Sequence, residues 1–327
     1  RFLANRRRVI VFDNLSRPGV KANLQWLKQR HGSLVEVEVG DVRDDKALGR
    51  AVNRAARVFH LAAQVAVTTS LDDPLYDFEV NARGTLNLLE SLRRRSDPPP
   101  LVFTSTNKVY GALADVILAA GRVRYDPMDE NICAHGIGED RNLDFHSPYG
   151  CSKGAADQYV LDYARSFGIP AAVLRMSCIY GPHQWGTEDQ GWVAHFLLST
   201  LNRQSITVYG DGRQVRDLLY VEDLVDAFLL AQQHIEEISG QAFNIGGGPA
   251  NAVSLLELLQ RIAELGGLRP QVRYAGWRTG DQRYYVADTR RFEALTGWRP
   301  RVHWQDGVER LWDWQRAQQV PASLVAH

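Results

Sequence analysis

A succession of short apolar runs, each separated from the next by a stretch of helical length, constrains this 327-residue chain more than any other feature. Residues 7–14, 58–63, 101–106 and 171–175 are continuous apolar runs that close on polar or small residues. Runs without a solvent face are what parallel strands covered on both sides require. Residues 34–39, Leu-Val-Glu-Val-Glu-Val, alternate with period two and lead into Gly40-Asp41-Val42. Helices are expected over 21–31, 46–54 and 73–95, and a further one opens at 147. Strands alternating with helices predict an α/β fold with a doubly wound parallel sheet. The expected domains are 1–175, with 206–248 partly returning to it, and a smaller C-terminal α/β domain from 176–205 and 249–327.

Composition narrows what such a fold can serve. Basic and acidic residues number 38 each, so nothing in the net charge calls for nucleic acid or an anionic membrane as partner. No apolar run approaches the ~18 residues of a spanning helix, and the N-terminus carries no export signal pattern. The three cysteines, Cys133, Cys151 and Cys178, suit a reducing compartment, and a cytoplasmic protein is expected. Cys133 and His135 are too few ligands for a metal site, so none is expected.

The stretch Ser147-Pro148-Tyr149-Gly150-Cys151-Ser152-Lys153 carries the chemistry. Ser147 is expected as N-cap and Pro148 as the first helical residue. Residues four apart share a helix face, so Tyr149 and Lys153 point the same way. A phenol titrates near ~10 in isolation, and an adjacent ammonium together with a cationic cofactor ring favours phenolate, which suits acid/base work. The same spacing also describes an ordinary helix with a packed tyrosine and a solvated lysine. Thr106 weighs against that, because a hydroxyl at the C-terminal end of a parallel strand faces the ligand crevice.

Asp13, also at a strand C-terminus, stands where an acid accepts hydrogen bonds from an adenosine ribose, which favours NAD over its 2′-phosphorylated form; Arg17 nearby is the competing signal. Asn14, Asp41 with Val42, and the small segment Leu61-Ala62-Ala63 are the further candidate cofactor contacts. Asn81 interrupts an apolar helix pattern. The glycine fingerprint of a dinucleotide fold is expected ~20 residues before the ribose acid. The 12 residues preceding Asp13 hold no glycine, so the first strand and pyrophosphate loop are expected to be missing from the chain. Gly246-Gly247-Gly248 lacks a strand-to-helix setting and does not replace them. Residues 112–144 are expected as a long irregular loop, as lids often are. Arg213 and Arg216, after the Gly210-Asp211-Gly212 turn, could clamp a diphosphate.

Together, Asp13, His60 to Ala63, Asn81, Thr106, Tyr149 with Lys153, Tyr180-Gly181-Pro182, Gly210-Asp211-Gly212, Arg216-Asp217, Asn244 to Gly247, and Arg278 with Gly280-Asp281 resemble the extended short-chain dehydrogenase/reductases, in particular the NAD-dependent nucleotide-sugar epimerase/dehydratase family. Thr106-Asn107-Lys108 departs from the Thr-Asp-Glu of the dehydratases, whose carboxyl groups eliminate water. Residues 13–17, 105–111, 143–159, 189–193 and 281–283 resemble the CDP-paratose 2-epimerase (CDP-tyvelose epimerase) subfamily. The resemblance implies that Tyr149 takes a proton from the sugar C2 hydroxyl while NAD accepts the C2 hydride, and that the keto sugar turns over before the hydride returns. It implies Lys153 on the nicotinamide ribose, Thr106 on the reacting oxygen, and Arg216, Arg278, Asp281, Gln190 and Ser177 on the CDP-sugar. Ser177 stands where many relatives carry asparagine. A homodimer or higher homo-oligomer through the Asn81 and Tyr149 helices is likewise implied. A UDP-hexose 4-epimerase shares the Thr/Tyr/Lys set, and a truncated, inactive binding remnant is the alternative from another class.

Overall fold

The computed structural model describes residues 1–267 and 269–319. Residues Arg1–Val109, Phe145–Arg175 and Ala227–Phe243 form one compact unit, and the rest of the described chain forms a second.

In the first unit, β1 (Val9–Asp13) pairs in parallel with β2 (Val35–Val39), Val9 opposite Val35. A four-stranded sheet runs in the order Ala242–Ile245, Ala171–Met176, β4 (Leu101–Thr106), β3 (Val58–His60), its first two strands ending in residues that group with the second unit. β3 and β4 are parallel, Val58 opposite Leu101. Every residue of β4 is buried, as the unbroken apolar run requires. Leu88, Leu89, Leu92, Leu101, Phe103, Val160 and Val173 share one core. Each such side chain contributes about 1.5–3 kcal/mol on burial. The helix Asp45–Val52 starts where Asp44 accepts from the amides of Lys46 (3.1 Å) and Ala47 (3.0 Å), which satisfies two donors the first turn leaves open.

The helix expected over 73–95 is interrupted. Pro74–Phe78 is α-helical, Glu79–Arg83 is one π turn, and Gly84–Arg93 is α-helical again. Asp73 caps its start through the Tyr76 amide at 2.9 Å. The π turn is centred on Asn81, and hydrophobic spacing alone does not reveal it.

In the second unit, Val215–Tyr220 pairs antiparallel with Ala252–Ser254 and parallel with Tyr284–Tyr285 and Cys178–Tyr180. Ile206–Tyr209 pairs in parallel with Val272–Ala275. Tyr180, Phe196, Leu197, Leu218, Leu258, Ile262 and Leu311 lie in its core. The expected irregular loop over 112–144 is in fact structured: Leu118–Ala120 and Tyr125–Pro127 form an antiparallel pair, followed by a helix, Glu130–His135, capped by Asp129. Short strands whose register is set by backbone pairing carry too little periodicity to read from sequence. No helix among the described residues is long and apolar enough to cross a membrane, and no group of His, Cys, Asp or Glu side chains there could hold a metal.

Candidate active site

Tyr149 and Lys153 lie on the helix Ser147–Phe167, and both are buried. Ser147 has a left-handed backbone, φ 65°, and its Oγ accepts from the Gly150 amide at 3.2 Å. The N-cap position falls on His146 and not on the expected Ser147, which is the first helical residue and satisfies one first-turn amide at the cost of a conformation that non-glycine residues seldom adopt. Gly154, one residue past Lys153, is required by close approach: a Cβ there would fall 2.4 Å from the Phe145 ring.

β4 supplies the other half of this site. Thr106 at its C-terminal end lies close enough to Tyr149 for its hydroxyl to favour the phenolate, so the structure brings together the hydroxyl and the phenol expected to act on one oxygen. Thr106 Oγ1 also accepts from the Lys108 amide at 3.2 Å. Lys153 Nζ donates to the Thr104 carbonyl at 2.6 Å and lies 4.2 Å from the centre of the Phe103 ring. Burial pushes the Tyr149 phenol up to about 12, with the Thr106 hydroxyl opposing and the charge of Asp77 adding to the rise. Burial pulls the Lys153 ammonium down to about 7, opposed by Asp157 and Asp77. Burial thus keeps the proton on Tyr149, and the cationic cofactor ring that the expected phenolate calls for acts in the opposite direction.

Beneath this pair, Asp157 is fully buried and takes Arg175 Nε at 2.9 Å and a second guanidinium nitrogen at 3.0 Å. Ser105, next to Thr106, donates to the same carboxylate at 2.7 Å. Asn81, 1% exposed, spends its amide on the protein. It accepts from the Gln64 amide (2.9 Å) and donates towards the Gln64 carbonyl (3.0 Å), Ser152 Oγ (3.1 Å) and Asp77 (3.1 Å). It binds the segment after β3 to the Tyr149 helix. His60 is held neutral, its pKa lowered to about 3 by burial and by the charge of Lys153. Asp77 and the Asp157–Arg175 pair are site residues that sequence reasoning misses. Their available signal is i,i+4 spacing: Asp77 to Asn81 and Lys153 to Asp157.

The candidate cofactor residues fall into two groups. Asp13 closes β1, its Oδ1 accepting from the Leu15 amide at 2.7 Å, and Leu61 after β3 is 56% exposed beside half-buried Ala62 and Ala63. Asp41 is bound by Asn14 Nδ2 (2.9 Å) and by Arg43 Nε (2.9 Å), whose hydrogen bonds hold its carboxyl well below the usual carboxylate range. Val42 packs on Gly84 and offers its carbonyl to Asn87 at 3.0 Å, so packing accounts for it. An acid at the end of β1, a small-residue segment after β3 and an inward lysine are the chemistry that a dinucleotide's ribose hydroxyls and flat ring require. These residues fit NAD.

The second unit holds the other expected substrate residues. Arg216 is buried and donates to Asp281 Oδ1 and the Gln282 carbonyl, each at 2.6 Å. Arg278 lies 3.8 Å over the Tyr209 ring, donates to the Glu188 carbonyl at 3.1 Å and approaches Asp189 at 3.3 Å. Gln190 closes a turn with Thr187, whose amide donates to its carbonyl at 2.8 Å. Ser177 gives its hydroxyl to Asp217, and Asp217 Oδ2 accepts from the Gly248 amide at 3.1 Å. That serine serves the glycine turn.

Comparison with known proteins agrees with this chemistry. The model of the "NAD dependent epimerase/dehydratase family" matches residues 1–246. The chain is 42% identical over 313 residues to CDP-paratose 2-epimerase of Salmonella typhi, covering 94% of this chain and 91% of that protein. It is 29% identical over 311 residues to UDP-glucose 4-epimerase of Mycolicibacterium smegmatis, covering 95% and 91%. The solved structure of the UDP-glucose 4-epimerase of Thermus thermophilus in complex with NAD superposes with a TM-score of 0.78 at 31% identity, covering 96% of this chain and 93% of that one. The chain belongs to the NAD-dependent epimerase/dehydratase family.

Proposed function

We propose that this protein is an NAD-dependent epimerase that inverts C2 of a CDP-linked dideoxyhexose, converting CDP-paratose to CDP-tyvelose through a 2-keto sugar. The observation that carries the reaction type is that Tyr149, on a helix that also buries Lys153, lies beside Thr106 at the end of a buried strand. The similarity to CDP-paratose 2-epimerase over most of both chains supports the substrate.

NAD, when bound, takes up the hydride and gives it back. Thr106 orients the sugar hydroxyl, and Tyr149, as phenolate, receives its proton and returns it to the same oxygen once the keto sugar has turned its other face. Lys153 holds a cofactor hydroxyl and supplies the positive charge that a phenolate needs. Asp13, with Asn14 and Asp41 beside it, binds the adenosine end. Arg278 offers the partly exposed cation for the diphosphate, and Arg216 with Asp281 fixes the segment that carries it. Lys108, in place of a carboxylate, leaves the chain without the acid that dehydration needs. Exposed Phe78 and Tyr159, on the two helices expected at an interface, support a homodimer, which light scattering tests. Cys133, Cys151 and Cys178 stay as thiols outside any disulfide, which supports a cytoplasmic setting.

The test uses CDP-paratose and UDP-glucose, each deuterated at the carbon to be inverted. C2 inversion of CDP-paratose with deuterium retained supports the proposal. Inversion of UDP-glucose at C4 without turnover of CDP-paratose replaces it with the 4-epimerase reading, which similarity to UDP-glucose 4-epimerases favours.

A further inference from the structure

A second buried carboxylate lies beside the Tyr149 helix with no assigned role. Asp77 has no exposed surface and is held by three donors: Gln64 Nε2 at 2.8 Å and Asn81 Nδ2 at 3.1 Å on Oδ1, and Ser152 Oγ on Oδ2. Burial raises the Asp77 pKa, while the hydrogen bonds of Ser152 and Gln64 and the charge of Lys153 favour its anion, and the two amide N–H groups on Oδ1 leave that oxygen an acceptor. Ser152 sits on the turn between Tyr149 and Lys153, its Oγ 3.2 Å from the Tyr149 carbonyl oxygen. Asp157, the other buried acid here, is neutralised by Arg175. Among the described residues Asp77 has no ion-pair partner, and the cation whose field reaches it is Lys153.

We propose that Asp77 is a positioning residue of the reaction: through Ser152 it fixes the turn that carries Tyr149, and its uncompensated negative charge sets the pH at which that phenol gives up its proton. This rests on the reading of Tyr149 as the base.

The charge balance around the helix favours Asp77 for this part. Of the segments packed on it, Val67–Asp72 ends in exposed Asp72, and Pro74–Phe78 holds Asp77 and Tyr76, the latter under Arg43. In the π turn Glu79 pairs with Arg83 at 2.9 Å, and in Gly84–Arg93 Glu90 pairs with Arg93 at 2.7 Å and accepts from Tyr163. β4 brings no titratable group, and His60 on β3 is neutral. On the helix itself Asp157 is paired and Asp162 faces Arg165 at 4.0 Å. Asp77 is the anion left without a counter-ion, and its field opposes ionisation of Tyr149 and favours the Lys153 ammonium.

The experiment measures kcat/KM for CDP-paratose against pH at saturating NAD in the parent, Asp77→Asn, Ser152→Ala and Tyr149→Phe proteins. Asp77→Asn keeps the shape and removes the charge, so the acid limb of its profile moves to lower pH. Ser152→Ala keeps the charge and removes the tether, so its limb stays closer to the parent's while its plateau falls about tenfold, within the range that misplacement of a catalytic group costs. A limb in Asp77→Asn that coincides with the parent's, with Tyr149→Phe inactive, overturns the proposal and leaves the base assignment standing. An active Tyr149→Phe protein overturns the base assignment instead. If Asp77→Asn does not fold, Asp77→Ser, which leaves room for water, carries the same expectation and the same refutation.

Discussion

Breaking the Asp157–Arg175 pair is the perturbation for which the structure gives the clearest magnitude. The side chains of Arg175 and Asp157 are 5% and 0% exposed, and they meet through two bonds of 2.9 and 3.0 Å. Charge centres about 4 Å apart attract by roughly 4 kcal/mol in the effective dielectric of a protein, against a desolvation cost of several kcal/mol for each ion. The intact pair therefore adds little net stability over an apolar filling. Removing one partner is different, because the other charge stays buried: Arg175→Met or Asp157→Leu is expected to cost about 3–5 kcal/mol. The double variant Asp157→Leu with Arg175→Met should then lose less than the sum of the singles by about 2 kcal/mol or more. Urea unfolding of all four proteins, read by a probe in the first unit, closes the cycle. Additive losses would refute the reasoning. So would singles that cost under about 1 kcal/mol, since a buried charge without a partner cannot be that cheap.

Three further outcomes follow from the same structure. Lys153, folded pKa about 7 against an unfolded value near ~10.4, binds fewer protons folded than unfolded between those limits, so stability rises with pH across that window. Lys153→Met removes a penalty on the order of a few kcal/mol at pH 7 and below, and a denaturation series that shows equal pH slopes in both proteins would contradict this. Gly246→Ala puts a Cβ 2.0 Å from Asp217 Oδ2, and the overpacking should cost about 1–3 kcal/mol; an unchanged urea midpoint would show the turn to be compliant. Arg278→Ala removes a cation stacked on Tyr209, so KM for the nucleotide sugar should rise about tenfold or more, while kcat measured at saturation changes less.

What can be read from the sequence is what local periodicity encodes. The unbroken run at 101–106 is the wholly buried β4, and the four-residue spacing puts Tyr149 and Lys153 together on one helix, with Thr106 reached from a strand end. Periodicity says nothing about partners far apart in the chain. Ser152 meets Asp77 across 75 positions and Arg175 meets Asp157 across 18, and each of these residue types is ordinarily a solvated surface group. The π turn at Asn81 is hidden for a related reason: one extra residue does not change which positions are apolar, only where they point.

The same distinction explains why spacing places Tyr149 and Lys153 side by side and yet does not show what burial does to their ionisation. Spacing shows that an ammonium and a phenol are neighbours, and a neighbouring positive charge favours phenolate. Inside the first unit both groups have lost their solvent, Lys153 donates to the Thr104 carbonyl, and the unpaired charge near them is negative. Desolvation and Asp77 then act together to keep the proton on Tyr149, and the Thr106 hydroxyl alone opposes them. On the proposed role of Tyr149 as base, positive charge entering the pocket is what releases its proton, so deprotonation of the sugar would be coupled to the presence of the oxidised cofactor. Residues remote in sequence set the threshold of that coupling, and only their folded arrangement reveals it.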